Sequence, residues 1–117
     1  MNKRQVGFEY EHEAELFLTG SGYRIIEKNF YCKAGEIDII AENEGYLCFI
    51  EVKYRTDNQN GFPEEAVDLR KIRRITRSAI YYMTKHGIPE DIPVRFDVVS
   101  ILGRDIKLIK NAFDAVM

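Results

Sequence analysis

Asp38, Glu51 and Lys53 are the residues whose types and spacing could do chemistry together. Residues 35–41 and 46–54 alternate as two strands, and Glu42, Asn43, Glu44 and Gly45 between them carry a hairpin signal, with Gly at a turn position. Side chains alternate along a strand, so Glu36, Asp38 and Ile40 share one face and Ile37, Ile39 and Ala41 the other. On the second strand Leu47, Phe49, Glu51 and Lys53 share a face. A two-residue loop at Glu44-Gly45 pairs residue 43 with residue 46 and sets Asp38 opposite Glu51. Moving the loop to Asn43-Glu44 shifts the pairing by two and keeps both carboxylates on one face. A three-residue loop would separate them unless a bulge intervened. Directly opposed residues have Cβ atoms about 4.5–5.5 Å apart, close enough that two carboxylates repel unless a cation sits between them or one takes a proton. A divalent cation such as Mg²⁺ meets that need, because it favours one or two carboxylates with waters and phosphate oxygens. Lys53 returns to the same face, where an ammonium could hold an attacking water or stabilise charge on a phosphate.

From spacing alone, Glu51 and Lys53 also fit an ordinary ion pair on a solvated strand face. Their flanks favour chemistry. Ile37, Ile39, Ile40 and residues 47–50 are strongly apolar, so the charges fall in strands that read as central, where charge is rare unless paired or ligating.

The elements that must position these residues follow from periodicity and punctuation. Residues 4–19 read as a helix with Val6, Gly7, Tyr10, Ala14, Phe17 and Leu18 on one arc, ended by Gly20, Ser21 and Gly22. Residues 23–29 read as a strand. Pro63 opens a predicted helix running to about residue 85, closed by Gly87 and Pro89. Residues 94–102 form a further strand, and 106–109 are a candidate for another. The order α-β-β-β-α-β, with one meander and a crossover, predicts an α/β domain: a mixed central sheet flanked by helices.

On the 63–85 helix, Leu69, Ile72, Ile75, Ala79, Ile80 and Met83 fill an arc of about 140° at 100° per residue. Arg70, Lys71, Arg73, Arg74 and Arg77 form a basic run with no acid among them. Such a ridge reads either as a phosphate-binding surface or as a solvated helix face. Arg55, just past Lys53, is the better candidate for a phosphate contact near the carboxylates.

The chain has 117 residues and a formal net charge of −2, with 45% hydrophobic and 31% charged residues. That length fits one domain spanning residues 1–117, and the acidic balance excludes coating of nucleic acid by bulk charge. No apolar stretch approaches the ~20 residues of a membrane span, and residues 1–13 lack the apolar segment of a signal peptide. Cys32 and Cys48 have no metal spacing, which predicts reduced thiols and a cytoplasmic setting. His12 and His86 are isolated and expected to face solvent. Asp97 reads as structural.

The run Gly35-Glu36-Ile37-Asp38-Ile39-Ile40, followed by Phe49-Ile50-Glu51-Val52-Lys53-Tyr54-Arg55, resembles the signature of the YraN-like family of small bacterial proteins. Residues 22–30, Pro63-Glu64-Glu65-Ala66-Val67 and Arg95-Phe96-Asp97-Val98-Val99 also match its pattern, so the likeness covers nearly the whole chain. That family is similar to the PD-(D/E)xK superfamily of restriction-endonuclease-like nucleases, and within it to archaeal Holliday junction resolvases. The resemblance implies a restriction-endonuclease-like fold, with Asp38 and Glu51 as ligands of Mg²⁺ or Mn²⁺ and Lys53 as the catalytic lysine. It further implies that a glutamate of the first helix completes the site as a ligand, and Glu11 occupies that place, about 60° from Ala14 on the helical wheel. The family usually has Gly before this glutamate where this chain has Tyr10, and the superfamily's Pro before the aspartate is Ile37 here. The expected activity is endonucleolytic hydrolysis of nucleic acid, DNA in the first instance, with Arg55, Arg70, Lys71, Arg74 and Arg77 on phosphates and a homodimer by analogy with resolvases. The alternative is a non-catalytic module that keeps the nuclease fold to bind nucleic acid or protein.

Overall fold

The computed structural model describes residues 2–57, 59 and 61–117. Residues 1, 58 and 60 lie outside the described residues. The elements are α1 (Lys3–Gly20), β1 (Arg24–Cys32), β2 (Gly35–Asn43), β3 (Tyr46–Arg55), a 3₁₀ turn (Pro63–Ala66), α2 (Leu69–Lys85), β4 (Val94–Leu102) and β5 (Asp105–Ile109). The five strands form one sheet in the order β1-β2-β3-β4-β5. All neighbours are antiparallel except β3 and β4, which the α2 crossover joins in parallel. This is the expected mixed α/β sheet, with the candidate last strand formed.

A core lies on each face of the sheet. Ala14 and Leu18 of α1 pack on Ile39, Ala41, Cys48, Ile50, Val52, Val99 and Ile101. Ile75, Ala79 and Tyr82 of α2 pack on Phe30, Ile37, Ile40, Leu47, Phe49 and Phe96. Central strands covered on both faces are apolar almost throughout, which is why β2 and β3 carry so few charges. Those few are the carboxylates of interest. Cys48 is fully buried and Cys32 partly so, both as free thiols.

The hairpin joining β2 and β3 has the even loop. Asn43 pairs with Tyr46, and Glu44 and Gly45 between them take φ of 54° and 83°. Positive φ at both central residues is the turn whose twist suits a two-residue hairpin.

Three expectations need correction. First, the strand read at 23–29 runs to Cys32, because Phe30 and Tyr31 continue the pairing with β2. Second, Pro63 does not open the long helix. Its 3₁₀ turn stops at Ala66, and Asp68 is extended and caps α2 by accepting from the Lys71 N–H at 2.9 Å; a side-chain cap supplies the start that a continuous helix would lack. The apolar arc is also turned from the expected one: Leu69 and Ile80 are exposed, and Thr76, Ser78 and Tyr82 are buried. Tyr82 sets that rotation by packing edge-on against Phe30 and Phe49, and Thr76 is tolerated inside because its hydroxyl donates to the Ile72 carbonyl. Third, Ile37 does not share a face with Ile39 and Ala41, but packs under α2 while they pack under α1. The β1–β2 pairing passes from Lys28–Ile39 to Phe30–Ile37, and Asn29, opposite Asp38, takes a left-handed φ of 53°. That irregularity breaks the alternation at Asp38.

Candidate active site

Asp38 sits where the sheet's regular pairing stops. The β2–β3 ladder ends at Ile39–Ile50, and one residue further the Asp38 carboxylate, not a backbone carbonyl, accepts from the Val52 N–H at 2.8 Å. The side chain thus replaces a ladder bond and is fixed by it. Glu51, the residue before Val52, is 4% exposed, and Asp38 is 8% exposed. On Glu51 Oε1 rest two ammonium groups: Lys53 Nζ at 3.4 Å from the same strand and Lys71 Nζ at 3.5 Å from α2.

Glu11 faces the pair from α1. Its carboxylate takes hydrogen bonds from the Asn29 amide at 3.1 and 3.3 Å, in the one amide orientation that satisfies both groups. The left-handed Asn29 therefore does two things: it interrupts the ladder pairing opposite Asp38 within β1 and it anchors Glu11. Glu36 completes the acidic cluster from the start of β2. Burial first, then the charge of Glu51, pushes the Asp38 carboxyl well above the usual range; the Val52 N–H pulls the other way, and Glu11 and Glu36 add to the rise. Glu11 is raised by partial burial and by Glu36, with Asn29 opposing. The asymmetry has a plain cause. Glu51 has two cations beside it, whereas Asp38 is buried with one backbone donor to offset the repulsion of its neighbours.

Asp38, Glu51 and Lys53 are brought together as the hairpin register requires, and Glu11 lies within reach of their fields. Among the described residues, no three His, Cys, Asp or Glu side chains stand close enough to cage a metal ion. Asp38 and Glu51 are the two carboxylates that could hold a cation here, one that keeps most of its waters, as Mg²⁺ does.

The basic residues divide. Arg70, Arg74 and Arg77 are exposed on α2, and Lys71 is half-buried against Glu51. Arg55 is half-buried beside Lys53 and Pro63 in a separate shallow recess. Lys71, expected only as a phosphate contact, is part of the carboxylate cluster. The Asp68 cap was the available signal, since a helix beginning at Leu69 puts Lys71 in its first turn and over the sheet. Asn29 gave no signal in its type or spacing. Neither histidine joins the site; both are exposed. No helix among the described residues is long and apolar enough to cross a membrane.

Residues 10–101, which include every residue of this cluster, match the model of the family described as "Uncharacterised protein family UPF0102". A UPF0102 protein of Lachnoclostridium phytofermentans is 53% identical over 115 residues, covering 98% of each chain. One of Persephonella marina is 45% identical over 92% of each chain, and one of Symbiobacterium thermophilum is 47% identical over 96% of this chain and 98% of its own. With its fold and acidic cluster inside the matched span, the chain belongs to the UPF0102 family, the YraN-like proteins.

Proposed function

We propose that this chain is a metal-dependent nuclease that hydrolyses phosphodiester bonds in nucleic acid, DNA in the first instance. The observation that carries the reading is the pair of buried carboxylates, Asp38 and Glu51, one held by a single backbone N–H and the other touched by two lysines. Buried charge so poorly compensated costs stability, and a binding site for a cation and a phosphate is a reason to keep it. The likeness of the strand motifs to PD-(D/E)xK nucleases supports the same assignment. Asp38 and Glu51 would hold Mg²⁺ or Mn²⁺, with Glu11 assisting from α1. When bound, such an ion supplies a water of lowered pKa and polarises the phosphodiester. Lys53 donates to the attacking water or to a phosphate oxygen, and Lys71, released from Glu51, meets negative charge on the substrate. Arg74 and its exposed neighbours on α2 take flanking phosphates.

A second reading rests on one observation: two lysines already neutralise Glu51 without a metal, which suits a module that binds without cutting. Incubation with Mg²⁺ or Mn²⁺ and a panel of branched, nicked, single-stranded and duplex DNA, and RNA, separates the two. Cleavage by the parent protein that falls at least ~100-fold in Glu51→Ala and Lys53→Ala is expected. Cleavage that persists in Glu51→Ala overturns the site, and binding without cleavage across the panel selects the second reading.

A further inference from the structure

Beside the carboxylates lies a recess of about 340 Å³ lined by Tyr31, Cys32, Gly35, Glu36, Lys71 and Arg74. We infer that it is a subsite for one unpaired nucleotide of the substrate strand, with Tyr31 stacking on the base and Lys71 and Arg74 holding its phosphate. The inference rests on the nuclease reading and names the form of nucleic acid that the site accepts.

The recess has two chemically distinct walls. The α2 wall carries the two cations, and Lys71 is shared with the active site through its 3.5 Å contact with Glu51. A phosphate there is therefore adjacent to the reacting one. The sheet wall carries Tyr31 and Glu36, which pair across β1 and β2. Tyr31 is 67% exposed, at a position where no packing role requires a large aromatic. An exposed aromatic next to a basic groove is the arrangement that stacks successive bases of single strands. Glu36, on the same wall, is an acceptor for the exocyclic amino group of a base and would repel a phosphate, which orients the nucleotide with base toward the sheet and phosphate toward the helix. The volume lies at the small end of ligand pockets, about 300–1,000 Å³, so it holds one nucleotide. Gly35 lines the recess where β2 passes close to α2: its φ of 148° favours glycine, and a Cβ there would make ordinary contacts at 3.5 Å with Ser78 Oγ and 3.9 Å with Arg74 Cβ. A base paired and stacked in a duplex cannot enter without leaving the helix. The substrates implied are single strands, flaps and branch points.

Fluorescence anisotropy in EDTA, where no metal-dependent cleavage intervenes, tests this with a labelled 12-nucleotide single strand and the matching duplex, each titrated with parent protein, Tyr31→Ala, Tyr31→Trp and Arg74→Ala. Tyr31→Ala is expected to weaken single-strand binding about tenfold and duplex binding less than about twofold, Tyr31→Trp to restore the single-strand affinity, and Arg74→Ala to weaken both ligands. Single-strand affinity unchanged in Tyr31→Ala, or equal losses on both ligands, overturns the subsite. Those outcomes leave the nuclease reading intact if the Glu51→Ala cleavage control behaves as expected. Conversely, a Tyr31-dependent preference for single strands in a protein that cuts nothing supports the subsite and removes the nuclease reading.

Discussion

Two buried charge clusters stand in the same sheet and are built oppositely. At the hairpin end, Asp97 is fully buried and receives Arg95 Nε at 2.9 Å, Arg95 Nη2 at 2.9 Å, the Tyr23 hydroxyl at 2.7 Å and the Asn111 N–H at 2.9 Å. Arg95 is also bound to Asn43 Oδ1 at 2.7 Å. Every partner there has a partner. At the other end, Asp38 has one backbone donor, and Glu51 has two lysines at 3.4 and 3.5 Å, longer than the 2.7–2.9 Å of close charge-assisted bonds. The first cluster ties the residue before β1, the end of β2, β4 and the segment after β5 into one piece. The second leaves lone pairs and charge available. A closed cluster is architecture; an open one is a site.

The largest effect expected from this contrast is on the closed side. Asp97→Ala strands the Arg95 guanidinium in the interior with its main counter-charge gone. Breaking a buried pair in this way costs about 3–5 kcal/mol, to be read from the denaturant midpoint at constant m-value. A loss below about 1 kcal/mol would mean that Asp97 is not the keystone its hydrogen bonds indicate.

The open cluster predicts the opposite sign. In EDTA, Asp38→Asn removes a carboxylate that burial and Glu51 disfavour, while the amide oxygen can still accept from Val52. Stability at neutral pH is expected to rise by about 1 kcal/mol, the range typical when a functional compromise is relieved. The pH dependence follows from the direction of the shift. Asp38 is raised in the folded state, so the native protein binds the proton more tightly than the unfolded chain, and this contribution is whole below the ordinary aspartate pKa. It is lost as pH rises through the elevated folded value. The advantage of Asp38→Asn over the parent should therefore be absent near pH 3, grow with rising pH and then level. Paired denaturation curves across pH measure it, and an advantage flat in pH would remove Asp38 as its source. Because the same carboxylate is the proposed metal ligand, the variant should be more stable and inactive at once.

The two clusters were not equally legible. Asp38, Glu51 and Lys53 could be read from strand alternation and an even loop, because a period of two and a two-residue turn leave little freedom. Asp97 was recognisable as structural, but the rest of its cluster was not, since Tyr23 reaches Asp97 from 74 residues away and Asn43 reaches Arg95 from 52 residues away, meeting only in the folded sheet. The contact of Lys71 with Glu51 was missed because the expected apolar arc of α2 is turned from the real one, which left Lys71 counted with the outer basic ridge. The face of Ile37 was missed because alternation assumes a regular ladder, and the left-handed Asn29 interrupts it. Periodic elements could be read; the irregularity that builds the site could not.

The smallest effect tests how open the open cluster is. Lys71 is the link between the helix and Glu51, and its side chain is 28% exposed against 8% for Arg95. At 3.5 Å with partial solvent access, the attraction is screened and no short hydrogen bond adds to it. A double-mutant cycle of Lys71→Ala with Glu51→Gln should return a coupling of about 0.5–1 kcal/mol, the scale of exposed pairs. The equivalent cycle of Arg95→Met with Asp97→Asn should return several-fold more, because both groups are buried and closely bonded. Equal couplings would erase the distinction between the clusters. A weak Lys71–Glu51 coupling is what the nuclease reading needs, since an ammonium held firmly by Glu51 could not leave it to meet a phosphate.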